Sequence, residues 1–256
     1  MRETTLAELL KAGAHFGHQV SKWNPKMRPY IFAARNGIYI VDLEKTKERL
    51  EAACAFAEDI AARNGTVLFI GTKRQAKPII EREAKRVGMP FVTNRWIGGT
   101  FTNYPTVSKL ISKHKRLLGE RERGELQKYV KKERLKIDEE IERLESLVGG
   151  MSEVTKLPEA VFLIDIKQER TAMREAKKMN IPIIAVTDTN VNPTEVTYPI
   201  PGNDDATKAI ELFVTALANA IESGTVRADK ARDDKAAAAQ PASVQETTKT
   251  VPVVEA

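Results

Sequence analysis

The sequence predicts an α/β protein built on a doubly wound parallel sheet. Three observations carry this. Short, wholly apolar runs at residues 67–70, 160–164 and 183–186 have the length and content of strands buried on both faces. Amphipathic helical stretches alternate with them. Gly, Asn and Pro punctuate the joins, as at Asn64-Gly65 and from Gly88 to Pro90.

Residues 5–12 read as a short helix capped by Thr4 or Thr5. Residues 13–29 form a polar, Gly-containing loop with neither the 3.6 nor the 2.0 period. Two short strands, 30–33 and 37–41, flank the Asn36-Gly37 hairpin signal. From Leu43, one apolar face carries Leu50, Ala53, Cys54, Ala57, Ile60 and Ala61. After strand 67–70, Ala76, Ile79, Ile80, Ala84 and Val87 mark the next helix, followed by a strand at Phe91-Val92 and a loop over 94–105.

Val107, Leu110, Ile111, Leu117 and Leu118 then form one stripe. Beyond the turn at 119–124, Val130, Ile137 and Leu144 recur seven apart, with Ile141 and Val148 offset. This predicts an inserted antiparallel α-helical coiled-coil hairpin. The sheet domain resumes with strand 160–164, a helix on Ala172, Met173, Ala176 and Met179, strand 183–186, and a long helix on Ala206, Ile210, Phe213, Val214, Leu217 and Ile221. Past Gly224 the composition predicts a disordered tail. The expected division is 1–104 and 150–223 for the sheet domain, 105–149 for the hairpin and 224–256 for the tail.

Charge gives the functional lead. Acids are 35 of 256 residues, yet windows 9–41 and 84–119 contain none. The first carries Lys11, Lys22, Lys26, Arg28 and Arg35; the second carries Lys85, Arg86, Arg95, Lys109, Lys113, Lys115 and Arg116. Excluding carboxylates where bases gather suits a polyanion. Interleaved Trp23, Asn24, Tyr30, Asn94, Trp96, Phe101, Asn103 and Tyr104 offer stacking and hydrogen bonds, which points to RNA. Residues 1–149 carry a net charge of +10 and residues 150–256 a net of −4, so the first half is expected to face the polyanion.

Expected RNA contacts are Lys22, Trp23, Lys26, Arg28, Arg35, Lys73, Arg74, Lys77, Arg95, Thr100, Asn103, Lys109, Lys113, Lys115 and Arg116. Trp96 and Phe101 have two readings, core anchors or base-stacking platforms. The strand-to-helix segment from Val67 to Arg74 lies where doubly wound folds bind phosphate. It lacks the later glycines of a dinucleotide fingerprint and any Gly-Lys-Ser/Thr, so RNA phosphate is preferred over a nucleotide cofactor. A nucleotide- or small-ligand-binding α/β protein is the alternative class.

His15 and His18, with Asp165, Asp188, Asp204 and Asp205, lack metal-ligand spacing, which leaves a bound ion an open question. No nucleophile–base set stands out, so neither catalysis nor a cofactor is expected. The single cysteine, Cys54, excludes an internal disulfide and reads as a small buried hydrophobe. Without an uninterrupted apolar run near ~20 residues or a signal-peptide core, a cytosolic protein with no membrane association is expected.

Several motifs are similar to those of bacterial ribosomal protein S-two. They are His15-Phe16-Gly17-His18, Trp23-Asn24-Pro25-Lys26-Met27, Asn36-Gly37-Ile38, Asp42-Leu43-Glu44-Lys45-Thr46, Phe69-Ile70-Gly71-Thr72-Lys73, Arg95-Trp96-Ile97-Gly98-Gly99-Thr100 and Pro201-Gly202-Asn203-Asp204-Asp205. The resemblance spans residues 4–223. It implies a flavodoxin-like sheet with an inserted coiled-coil hairpin, and a structural role in the small ribosomal subunit bound to its rRNA. The implied partners are ribosomal protein S-one and neighbouring small-subunit proteins; no homo-oligomer is expected.

Overall fold

The computed structural model describes residues 4–238. The chain opens with α1 (Leu6–Ala12), whose Thr5 hydroxyl accepts from the Glu8 amide while the Glu8 carboxylate accepts from the Thr5 amide. Next come β1 (Phe16–Gln19), two 3-10 segments (Val20–Lys22 and Pro25–Tyr30), β2 (Ile31–Arg35) and β3 (Ile38–Val41). They form an antiparallel sheet in the order β1-β3-β2. Its tight turn needs positive φ at two consecutive positions, and Asn36 (50°) and Gly37 (75°) supply them. β1 lies in the stretch expected to be loop. It has no strand period of its own and exists because β3 offers a free edge, pairing Phe16 with Ile40.

The central sheet is fully parallel, in the order β5-β4-β6-β7-β8. Its strands are β4 (Val67–Ile70), β5 (Phe91–Val92), β6 (Ala160–Ile164), β7 (Ile183–Thr187) and β8 (Tyr198–Pro201). This is the flavodoxin-like order. Alternate side chains enter two separate cores: Val67, Phe69, Phe162 and Ile184 face one side, and Leu68, Ile70, Leu163 and Ala185 the other. The first core is closed by α2 (Leu43–Ala62), α3 (Lys77–Arg86) and α7 (Thr207–Ala238); Cys54 is buried within it and its thiol is pushed up to about 12, burial being the main cause.

The second core is closed by α6 (Arg170–Lys178) with α4 (Tyr104–Glu122) and α5 (Lys131–Val148). The last two helices pack on each other through Val107, Ile111 and Leu117 of α4 and Ile141, Leu144 and Val148 of α5. Val130, expected in that seam, instead precedes α5 as its N-cap and is 66% exposed.

The disordered tail expected after Gly224 is corrected over 225–238, which continue α7 without a break. Gly224 is no stop signal. A Cβ there would lie 2.3 Å from the Glu58 carbonyl oxygen, so glycine lets α7 cross closely over α2. Arg227 then reaches Glu58 and Asp59 at 3.2 and 2.8 Å, tying the extension down. The rest of the expected tail lies outside the described residues. The stretch Thr207–Lys230 is long and apolar enough to cross a membrane by composition, but Ile210, Phe213, Val214, Leu217 and Ile221 are buried in the first core.

Candidate nucleic-acid interface

The N-terminal candidates share one surface unit. Lys22 ends the first 3-10 segment, Lys26 and Arg28 lie in the second, and Arg35 ends β2. Buried Met27 anchors the second segment, and Asn24 fixes its start by accepting from the Lys26 amide and donating its own to the Thr189 carbonyl. All four bases are exposed, and none has an ion-paired carboxylate among the described residues. Trp23 is half-buried against Tyr39, with ring centroids 5.1 Å apart, so one face of it is already used.

The loop after β4 departs from expectation. Lys73 turns inward, with a side chain only 12% exposed and Nζ 2.9, 2.7 and 2.7 Å from Asp165, Asp204 and Asp205. Burial alone would lower its pKa, but those carboxylates more than reverse this and hold it above the usual lysine range. Its charge neutralises an internal acid cluster, and the expected phosphate contact at Lys73 is corrected accordingly. Arg74 remains exposed, and Lys77 donates to Asn94 at 3.2 Å.

The same cluster bears on the nucleotide alternative. The crevice between β4 and β6, where the strand order reverses, is the ligand position in such folds. Here Asp165, Asp188 and Asp204 follow β6, β7 and β8, and buried carboxylates repel phosphate. Burial, then Asp188 and Asp165, pushes the Asp204 carboxyl up to about 7 against the pull of Lys73. His18 Nδ1 lies 3.0 Å from Asp188, and that hydrogen bond raises its pKa despite partial burial. The Lys73 ammonium occupies the space between carboxylates that a cation would take. Among the described residues, no three His, Cys, Asp or Glu side chains are placed to hold a metal ion.

The loop from Arg95 to Asn103 is organised by a residue that the sequence reading missed. Glu175, on the inner face of α6, accepts from Trp96 Nε1 (3.1 Å) and from the amides of Gly99 (2.8 Å), Phe101 (3.0 Å) and Thr102 (3.3 Å). Burial would raise its pKa, but these donors outweigh burial and lower it. Trp96 and Phe101 pack edge to face at 4.8 Å inside the second core, which decides between their two readings in favour of anchoring.

Thr100 is also corrected: it is 3% exposed, and its hydroxyl donates to the Ile97 carbonyl at 2.6 Å. Arg95 and Asn103 flank the clamped loop and are exposed. No local signal marked Glu175, because its partners lie more than 70 positions away.

On α4, Lys109 is exposed and has no ion pair among the described residues, whereas Lys113 meets Glu140 at 2.6 Å, Lys115 meets Glu153 at 3.2 Å and Arg116 meets Glu120 at 3.7 Å. A window free of acids in sequence is therefore not a surface free of acids.

The sequence matches the family described as ribosomal protein S2 over residues 9–224. The chain belongs to the ribosomal protein S2 family. A "Small ribosomal subunit protein uS2" from Coprothermobacter proteolyticus is 50% identical over 224 residues, covering 88% of this chain and 84% of the relative. One of the same description from Dehalococcoides mccartyi is 48% identical over 221 residues, covering 86% and 90%. The ribosomal protein S2 family is structural and non-enzymatic.

Proposed function

We propose that this chain is a structural constituent of the small ribosomal subunit and works in translation by binding small-subunit rRNA in the cytoplasm. The observation that carries this is 50% identity to a small-subunit protein along nearly the whole of both chains. Its geometry supports a phosphate-binding role: Lys22, Lys26, Arg28 and Arg35 are exposed, without an ion-paired carboxylate among the described residues, on the 3-10 segments and β2, with Trp23 among them. Arg74, Lys77, Arg95, Asn103 and Lys109 extend the set. Lys113, Lys115 and Arg116 contribute less, because a phosphate has first to displace Glu140, Glu153 or Glu120.

Within this reading, 105–149 is a coiled-coil hairpin inserted in the sheet domain, supported by the facing apolar residues of α4 and α5. Docking of ribosomal protein S-one and contacts with neighbouring small-subunit proteins rest on the family resemblance alone. The test is sedimentation of the cellular protein at graded salt. It should travel with small subunits at low salt and be released at high salt; protein found entirely free beside abundant ribosomes would sink the reading.

A further inference from the structure

α6 is a basic helix that its sequence disguises. Residues 167–178 contain five bases, Lys167, Arg170, Arg174, Lys177 and Lys178, and two acids, Glu169 and Glu175. Both acids point inward. Glu169, 3% exposed, accepts from the Thr72 amide and hydroxyl at 2.8 and 2.6 Å, and Glu175, 9% exposed, clamps the 96–102 loop. All five bases are exposed, and none is ion-paired among the described residues.

α3 and the middle of α4 differ. On α3, Arg82, Lys85 and Arg86 each meet a glutamate at 2.7–2.9 Å, as Lys113 does on α4 at 2.6 Å. The macrodipole accounts for Lys177 and Lys178 in the last turn of α6, but Arg170 opens the helix, where positive charge is unfavourable. Helix stability therefore does not explain the set.

We propose that the outer face of α6 is a phosphate-binding surface for RNA. This rests on the RNA-binding reading above and assigns it a face that the acidic balance of the second half concealed. Arg170, Arg174 and Lys177 follow the three- and four-residue spacing that places side chains side by side on a helix. From Arg170 to Lys178 the helix advances about 12 Å, room for several successive phosphates. Glu175 joins this face to the exposed Arg95 and Asn103, because its carboxylate holds the loop between them against the inner side of the same helix. Phosphate backbone is the occupant that an array of cations without base-reading groups fits.

The test compares Arg170→Gln/Arg174→Gln/Lys177→Gln with Lys113→Gln/Lys115→Gln/Arg116→Gln in the full chain. Affinity for purified small-subunit rRNA is measured across a salt series, with circular dichroism and thermal melting as fold controls. The α6 variant should lower the magnitude of the log-affinity versus log-salt slope by about 2 to 3, at about 0.7–0.9 per phosphate contact, and the hairpin variant by less. An α6 variant matching the parent, or a hairpin variant with the larger loss, overturns the proposal. So does unchanged RNA binding with lost association to the subunit, which would make α6 a protein-docking face. A parent chain with no salt-dependent rRNA binding would instead sink the broader function.

Discussion

Two ionic sites with a buried charge at their centre solve the same problem in opposite ways. At the strand ends, one ammonium, Lys73, is surrounded by Asp165, Asp204 and Asp205. Under the Arg95–Asn103 loop, one carboxylate, Glu175, is surrounded by backbone amides and the Trp96 indole. The first neutralises charge with charge, while the second spreads a negative charge over dipoles. Removing a member should therefore cost most in the first, where uncompensated charges remain. In the second, the cost should appear chiefly as loss of loop order.

Breaking the first site gives the largest expected effect. Lys73→Ala leaves three carboxylates facing one another and should destabilise the chain by about 3–5 kcal/mol, read as a lower urea midpoint near neutral pH. A lysine kept for RNA alone would leave that midpoint where it was. Glu175→Gln should cost about 1–3 kcal/mol, because an amide nitrogen replaces an oxygen that accepts from the backbone. Its sharper readout is functional. Counting charges predicts tighter RNA binding once an acid is removed, whereas loop organisation predicts weaker binding, with faster hydrogen exchange at Gly99, Phe101 and Thr102. Tighter binding with unchanged exchange would refute the role given to Glu175.

pH separates the two sites next. Asp204 has its carboxyl pushed up to about 7, so the folded chain holds a proton that the unfolded chain releases near 4. Stability from this group is greatest below about 4 and is lost as pH rises towards 7. The raised His18 acts in the same direction above about 6.5, its contribution lost as pH passes through the folded value. The unfolding free energy from urea titrations should thus fall between pH 5 and 8 by about 3 kcal/mol, about two pH units of Asp204 titration at about 1.4 kcal/mol each. Asp204→Asn should flatten the lower part of that profile and His18→Gln the upper part. Glu175, with a lowered pKa, should show the reverse trend only in acid. The smallest effect concerns the C-terminal extension of α7. Arg227→Ala removes exposed pairs to Glu58 and Asp59 and should cost less than about 1 kcal/mol, while helicity over 225–238 decreases.

The alternation of apolar strands with amphipathic helices, and hence the two-faced sheet, was legible from sequence because both periodicities are local. The Asn36-Gly37 turn was legible for the same reason, as was the match of motifs from His15 to Asp205 to the ribosomal protein S2 family. So was the open, basic character of Lys22, Lys26, Arg28 and Arg35, which are exposed and have no carboxylate folded back onto them among the described residues. Elsewhere local charge misled. Lys73 and Thr100 look like ligand groups in their own loops, yet partners at Asp204 and the Ile97 carbonyl take them inward.

β1 has no strand pattern until β3 offers an edge, and Gly224 reads as a stop until α2 is seen beneath it. The two acids of residues 167–178 mask the five bases there until the fold turns Glu169 towards Thr72 and Glu175 towards Gly99. Periodicity, turn chemistry and composition belong to neighbouring residues, and the sequence alone determined them. Which charges reach water depends on partners many tens of positions away, because a buried charge persists only where the fold supplies its counter-charge or its hydrogen-bond donors. That allocation belonged to the tertiary structure.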